Sequence, residues 1–336
     1  MDSVLWHQFF AKRPTPHRST ILLPFCSYNE TTRSSWSYDH VDKDLLLLGV
    51  DGGGTSCRAR LSTSCGTVLA EAVSGPANLR LGLERSFASV IEAAAQCLRE
   101  AALSENDMAR VVACLALAGA SEPDYAAAAQ GHEHPFQQMI MTTDAHAACI
   151  GAHGGRDGGI IIAGTGTIGW AMVQGKIHRI GGWGLPISDE GSGAWLGSEL
   201  LRRVLWARDG RVQWTPLLRS VFADFRETPH AILDWTACAQ PSDLGSYAPR
   251  IVAHAAERDA AAIELMSFAA GHIDALAARL VDAGADRLSL MGGLAPSLRA
   301  WLSPATRSHL VEPAGDALTG ALALARRVAG ELTRAA

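Results

Sequence analysis

The chain has 336 residues, 48% hydrophobic and 19% charged, enough to bury large cores and, at ~150 residues each, to form about two domains. A formal net charge of -5 argues against partners held by non-specific charge, nucleic acid and anionic membrane among them, and no apolar run approaches the ~18 residues of a membrane helix. The seven cysteines are scattered, odd in number and without a C-x-x-C pair, which points to a reducing cytoplasmic compartment rather than a disulfide framework.

Residues 1–44 are polar, carry Pro14, Pro16 and Pro24, and show no sustained periodicity. This N-terminal extension is expected to be poorly ordered or to lie loosely on the surface. Its apolar run, Ile21 to Phe25, is too short for a signal-peptide core. The Asn29-Glu30-Thr31 sequon carries no consequence in a cytosolic protein.

Organised structure is expected from Leu45. Leu45 to Leu48 and Val50 form an apolar run that reads as a buried strand, ending in Asp51-Gly52-Gly53-Gly54-Thr55. Three glycines permit positive φ and bring bare N–H groups close to an anion, and the Thr hydroxyl adds a donor. Cys57, Ala59 and Leu61 then alternate with Arg58 and Arg60, the period of a half-buried return strand. A third strand is expected over 67–73, a turn at Gly75-Pro76-Ala77-Asn78, and an amphipathic helix over about 83–103 from the spacing of Phe87, Val90, Ile91, Ala94 and Leu98. Val111 to Ala118 reads as a buried strand stopped by Gly119. A helix over 122–130 and a short strand over 139–143 deliver Asp144, and a further helix follows over 145–152. His132 and His134 precede Pro135; an exposed loop explains them better than a metal site, since no third ligand is near in sequence.

The pattern then begins again. Residues 159–173 repeat the apolar run, a Gly164-Thr165-Gly166 tip and an alternating return strand. Helices over 194–208 and 260–282 lead to a buried strand, 287–291, stopped by Gly292-Gly293. An internal duplication at domain scale is the economical explanation, and two similar α/β domains with facing glycine tips would leave a cleft suited to a small molecule. Glycine tips in both repeats favour polyphosphate binding through backbone N–H groups over two incidental tight turns. A P-loop is excluded, because no G-x-x-x-x-G-K-[ST] exists. The G-x-G-x-x-G match at Gly164, Gly166 and Gly169 sits on a hairpin, where a dinucleotide fold needs strand followed by helix.

Asp144, at a strand-to-helix junction, can accept a hydroxyl proton as the oxygen attacks a γ-phosphate; a plain helix N-cap is the competing reading. Gly181-Gly182-Trp183-Gly184 and Ser188-Asp189-Glu190 form a polar loop in which an aromatic beside acids suits a sugar ring. Asp51 is the natural residue to orient Mg²⁺ through water, because that ion retains part of its hydration shell.

These stretches resemble a known family. DGGGTSCRAR, LALAGA, TTDAHAACIGAH, IAGTGT, PISDEGSGAWLG, LMGG and EPAGDALTGAL, in this order, are similar to the actin-like ATPase superfamily, specifically the branch of N-acetylglucosamine kinases and BadF-type ATPases, with bacterial glucosamine kinases nearest. The match runs from about Leu45 to the C-terminus. It implies two duplicated actin-like, ribonuclease H-like domains with a nucleotide and sugar cleft between them: 45–144, completed by a C-terminal helix over 316–333, and 145–315. The resemblance implies ATP held by Gly52, Gly53, Gly54 and Thr55, by Gly164, Thr165 and Gly166, and by Gly292 and Gly293, with Asp144 as general base. Asn78, Gly119, Thr167, Gly182, Trp183, Gly184 and Asp189 would contact an amino sugar. It implies Mg²⁺-dependent phosphorylation of glucosamine, with N-acetylglucosamine as the alternative, and a homodimer as an open expectation. Activating ATPases of the same branch hold an iron–sulfur cluster between subunits; Cys149 lies near such a place without an evident second ligand, and the GTGT tip favours a kinase.

Overall fold

The structure is a computed structural model that describes residues 20–22 and 44–335. The described chain divides into two compact units. One takes residues up to Ala147 together with those from Ala321 onward, and the other takes Ala148–Gly320. Most of the N-terminal extension, with the sequon at Asn29, lies outside the described residues.

The first unit is built on strands β1 (Thr20–Leu22), β2 (Leu46–Gly52), β3 (Cys57–Thr63), β4 (Val68–Ser74), β5 (Val111–Leu117) and β6 (Gln138–Thr142), with helices α1 (Leu83–Glu100) and α2 (Pro123–Gln130) between them and α3 (Asp144–His153) leaving the last strand. The sheet order is β1-β6-β5-β2-β3-β4. β2, β3 and β4 form an antiparallel meander, whereas β5, β6 and β1 add parallel strands on the other side of β2. Every residue of β5 and all of β2 except Asp51 are buried, so neither strand shows alternation, as expected of strands covered on both faces. α1 turns Phe87, Val90, Ala94 and Leu98 inward to meet Leu48, Val50, Ala59, Leu61 and Leu115 in one core. That one-sided spacing is why a sequence rich in Ala and Glu folds as a helix here.

The second unit repeats the plan with β7 (Gly158–Ala163), β8 (Thr167–Val173) and β9 (Lys176–Gly181), followed by helices α4 (Gly193–Arg208), α5 (Pro216–Asp224), α6 (Pro229–Cys238), α7 (Pro241–Gly245), α8 (Ala248–Ala256) and α9 (Ala260–Asp282), then β10 (Leu288–Met291), α10 (Ala295–Leu298), α11 (Pro304–His309) and α12 (Ala317–Ala335), whose later part groups with the first unit. The order β10-β7-β8-β9 is again an antiparallel meander with a parallel strand added beside its first member. A parallel bridge from Leu288 to Leu310 stands where the first unit has a further full strand. α9 is long and apolar enough to cross a membrane by length and composition. It carries Glu264, Asp274 and Arg279, and its buried side chains from Ala262 to Leu280 pack with α4, α5 and α8 in the core of the unit.

Chain order and element types follow the sequence reading closely, with several differences. The short helices α10 and α11 fall where no element was expected. β9 is an edge strand with no fully buried residue. The prolines at the first turns of α5 to α8 start short helices in a stretch for which no element was expected. Thr20–Leu22, within the extension expected to lie loosely, pairs in parallel with Met139–Met141.

Candidate active site

In the first unit the carboxyl ends of three parallel strands lie side by side, because Gly52 is in register with Leu117, and Ala116 with Thr142. Ligands favour this end of parallel strands. From it issue the first glycine tip, the Ala118–Gly119 turn and the Thr143–Asp144 junction.

The tip spans Gly53 to Ser56, closed by Gly53 N–H donating to Ser56 O at 2.9 Å. Among the described residues the N–H groups of Gly54, Thr55 and Ser56 have no acceptor, and Gly54 and Thr55 are exposed. Three such amides beside a hydroxyl are suited to an anion. The base of the tip is fixed by backbone: Ala77 N–H donates to Gly53 O at 3.0 Å and Ala118 N–H to Gly52 O at 2.8 Å. A Cβ on Gly52 would lie 2.5 Å from Leu117 Cδ2 and 2.9 Å from Ala77 O, so only glycine fits this crossing. Asp51, one residue earlier, receives Arg58 at 2.6 Å on Oδ2.

Asn78 lies against both glycine turns. Its Oδ1 accepts Arg80 N–H at 3.0 Å. Its Nδ2 is 3.9 Å from the Cβ position of Gly54, and its Oδ1 is 3.2 Å from that of Gly119. Asn78, Gly119 and the first tip are therefore neighbours.

At the end of β6 the cap and the acid are separate residues. Thr143 Oγ1 accepts His146 N–H at 3.0 Å and Thr143 O accepts Ala147 N–H at 3.1 Å, the work of an N-cap. Asp144 is the first helical residue, half-buried, its Oδ1 accepting Ala145 N–H at 2.8 Å. The N-terminal end of the helix dipole favours a carboxylate there. Burial pushes the His146 imidazole down to about 4, so it adds no positive charge beside Asp144 at neutral pH.

In the second unit the tip is one residue shorter, Gly164 to Gly166, closed by Gly164 N–H donating to Gly166 O at 2.9 Å. The Thr165 and Gly166 N–H groups have no acceptor among the described residues. The first amides of α4 hold the tip from behind: Gly193 N–H donates to Gly164 O at 2.8 Å and Ala194 N–H to Thr165 O at 3.2 Å. Ser192 caps that helix by accepting Trp195 N–H. Leu294 N–H donates to Ala163 O at 3.0 Å, which sets the Gly292-Gly293 turn against the same strand end.

Asp189 ties this tip to the aromatic loop. Its Oδ1 accepts Gly184 N–H at 3.1 Å, the carboxylate also accepts the Thr167 backbone N–H, and Oδ2 is 2.6 Å from where a Gly166 Cβ would stand. Burial pushes its carboxyl above the ordinary range and Glu190 adds to this, against the hydrogen bonds from Gly184 and Thr167 and the charge of Arg179. Asp189 holds φ at +67°, a left-handed setting uncommon outside glycine. Arg179 on β9 donates to the carbonyls of Gly181 and Gly182 and lays its guanidinium 4.1 Å from the Trp183 ring centroid. Trp183 remains 68% exposed. Thr167 Oγ1 is buried and has no hydrogen-bond partner among the described residues.

The structure thus gathers Gly52 to Thr55, Asn78 and Gly119 in one unit, where Asp144 leaves a neighbouring strand. It gathers Gly164 to Thr167, Gly182 to Gly184, Asp189 and Gly292-Gly293 in the other. Sequence reasoning missed Thr143, Arg179 and the Arg80–Glu122 ion pair at 2.5 Å; only the Thr before Asp144 carried a local signal. His132 packs against Phe87 with the rings tilted and their centroids 4.1 Å apart, and no metal-binding group of His, Cys, Asp and Glu occurs among the described residues. Cys149 is buried, its thiol pushed up to about 12 by burial and directed at Gly158 O, which does not suit an exposed cluster ligand.

The sequence profile of the BadF/BadG/BcrA/BcrD ATPase family matches residues 48–325. Glucosamine kinase GspK of Vibrio cholerae is 42% identical over 278 residues, covering 83% of this chain and 95% of that protein. The N-acetylmuramic acid/N-acetylglucosamine kinase of Clostridium acetobutylicum is 30% identical over 184 residues, 53% of this chain and 59% of that protein. Among solved structures, a candidate N-acetylglucosamine kinase from Chromobacterium violaceum superposes with a TM-score of 0.79 at 35% identity, covering 84% of this chain and 99% of that one. With its two glycine-tipped α/β units, the chain has the actin-like fold shared with sugar kinases and belongs to the BadF/BadG/BcrA/BcrD ATPase family.

Proposed function

We propose that this protein is an ATP-dependent amino-sugar kinase that converts glucosamine and ATP to glucosamine 6-phosphate and ADP, with N-acetylglucosamine as the alternative acceptor. The observation that carries the reading is the division of labour at the end of β6: Thr143 caps the helix, so the carboxylate of Asp144 is not needed as its cap. A carboxylate at the mouth of parallel strands, with an amide cradle two strands along the same sheet, suits the base that takes the hydroxyl proton while that oxygen bonds to the γ-phosphorus and the bond to ADP breaks.

The open amides of Gly54 to Ser56 and of Thr165 and Gly166 suit the phosphates of ATP, and the Gly292-Gly293 turn suits its adenosine. Asp51 fits a water-mediated role towards Mg²⁺: Arg58 occupies one carboxylate oxygen, and that ion keeps several waters and leans on substrate phosphates rather than a protein cage. When bound, Mg²⁺ would neutralise charge on the transferring phosphoryl group. Asn78, with Oδ1 committed to Arg80, presents Nδ2 as a donor to a sugar oxygen, and Trp183 offers an apolar face. The similarity to a glucosamine kinase at 42% identity favours the free amine as acceptor, and the exposed Glu190 beside Asp189 suits a cationic sugar.

ADP release with MgATP should depend on added glucosamine and exceed that with N-acetylglucosamine, glucose or buffer. Preference for N-acetylglucosamine would keep the reaction and change the acceptor. ADP release independent of any sugar would overturn the kinase reading.

A further inference from the structure

Two loops of the first unit carry candidate sugar contacts, Asn78 on the segment after β4 and Gly119 on the turn after β5. Backbone hydrogen bonds join their bases: Leu79 N–H donates to Ala118 O at 3.0 Å, and Glu122 N–H closes the second turn on Gly119 O at 3.0 Å. Their outer parts are joined by one side-chain pair. Arg80 donates through Nε, and through Nη2, to the same Glu122 oxygen, both at 2.5 Å. This side-on geometry fixes the guanidinium more tightly than a single contact.

Arg80 also controls Asn78 directly, because its backbone N–H holds Asn78 Oδ1 at 3.0 Å. Since the Asn78 carbonyl is spent there, its amide nitrogen must face the tip side. The direction in which Asn78 offers a donor therefore depends on the 78–82 turn, which is held by its own backbone bonds and braced from outside, against the Gly119 loop, by the contact of the Arg80 side chain with Glu122. The pair is well exposed, 58% at Arg80 and 39% at Glu122, so it adds little to stability. A contact that contributes little to folding but fixes the aim of a binding group is a positioning device.

We infer that the Arg80–Glu122 ion pair is a positioning pair for the sugar, holding Asn78 and the Gly119 turn in the geometry that binds it; this rests on the kinase reading. Glu122→Gln and Arg80→Met should each raise the KM for glucosamine about five-fold. The KM for ATP and the melting temperature should stay near wild type, and the reversed pair, Arg80→Glu with Glu122→Arg, should recover most of the loss. Single variants with unchanged sugar KM, a rise shared by ATP, or a reversed pair no better than the singles would overturn the inference while the kinase reading stood. A wild type with neither sugar-dependent turnover nor a thermal shift on adding glucosamine would overturn both.

Discussion

In the first unit the glycine tip after β2 is held by the amides of Ala77 and Ala118 and by close packing, with Gly52 pressed against Leu117 and Ala77. In the second unit the tip after β7 leans on polar groups, the Asp189 carboxylate in front and the first amides of α4 behind. The strands beneath them have the same topology. Backbone amides hold both tips, and what is added to them differs in physical kind: close packing is insensitive to pH, whereas a half-buried carboxylate carries a desolvation penalty that depends on protonation. A repeated fold has fixed where the tips are, and the local sequence has decided how each is held.

The largest expected effect exploits an asymmetry. The first unit has a strand, β6, that ends in an acid, and the described part of the second unit has only the Leu288–Leu310 bridge in the corresponding place. Asp144→Asn should lower kcat by about a hundred- to ten-thousand-fold while glucosamine still protects the protein in a thermal-shift experiment. Retained turnover would remove Asp144 from the role of base.

Next come the glycines themselves. Gly52→Ala forces a methyl into Leu117 and Ala77 and should destabilise by about 1–3 kcal/mol. Gly164→Ala meets nothing within 4 Å and should leave stability close to wild type. Chemical denaturation of the two variants side by side checks this, and equal losses would contradict the packing account of the first tip.

A subtler contrast lies in Asp189. Its folded carboxyl titrates above the ordinary 3.8, so the native state binds the proton more tightly than the unfolded chain. Its contribution to stability is present below the ordinary value and is lost as pH rises through the raised one. Asp189→Asn, neutral at every pH, should therefore be at least as stable as wild type at pH 7, with wild type gaining on it as the solution is acidified. Turnover should nevertheless fall about ten-fold, since the Gly166 and Gly184 loops lose their charged tie. Melting curves across acid pH with parallel rates test both halves; a variant less stable at neutral pH would reverse the sign.

Much of this was legible in the chain. Apolar runs ending in Asp51-Gly52-Gly53-Gly54-Thr55 and Gly164-Thr165-Gly166 marked both hairpins, and β2, β5 and β7 were readable because strands buried on both faces leave continuous runs. β9 was not, since Lys176, His178 and Arg179 break the apolar pattern of an edge strand. The supports were not legible either. Arg80 and Glu122 are 42 residues apart, and Asp189 meets Gly166 only once the loop folds back. Such partnerships depend on tertiary approach, which periodicity does not encode. The bonds that Asp189 accepts from the Gly184 and Thr167 amides were equally out of reach of the sequence. Thr143 read as ordinary strand, although it takes the capping role that had competed for Asp144.

The central claim is phosphoryl transfer to an amino sugar, and the most direct measurement follows the γ-phosphate itself. Wild-type protein would be incubated with γ-labelled ATP, magnesium and glucosamine, and the label divided between sugar phosphate and inorganic phosphate. The account predicts label on the sugar, at the 6-oxygen, with little free phosphate and almost none transferred by Asp144→Asn. Label appearing as inorganic phosphate whether or not sugar is present, in wild type and variant alike, would contradict it.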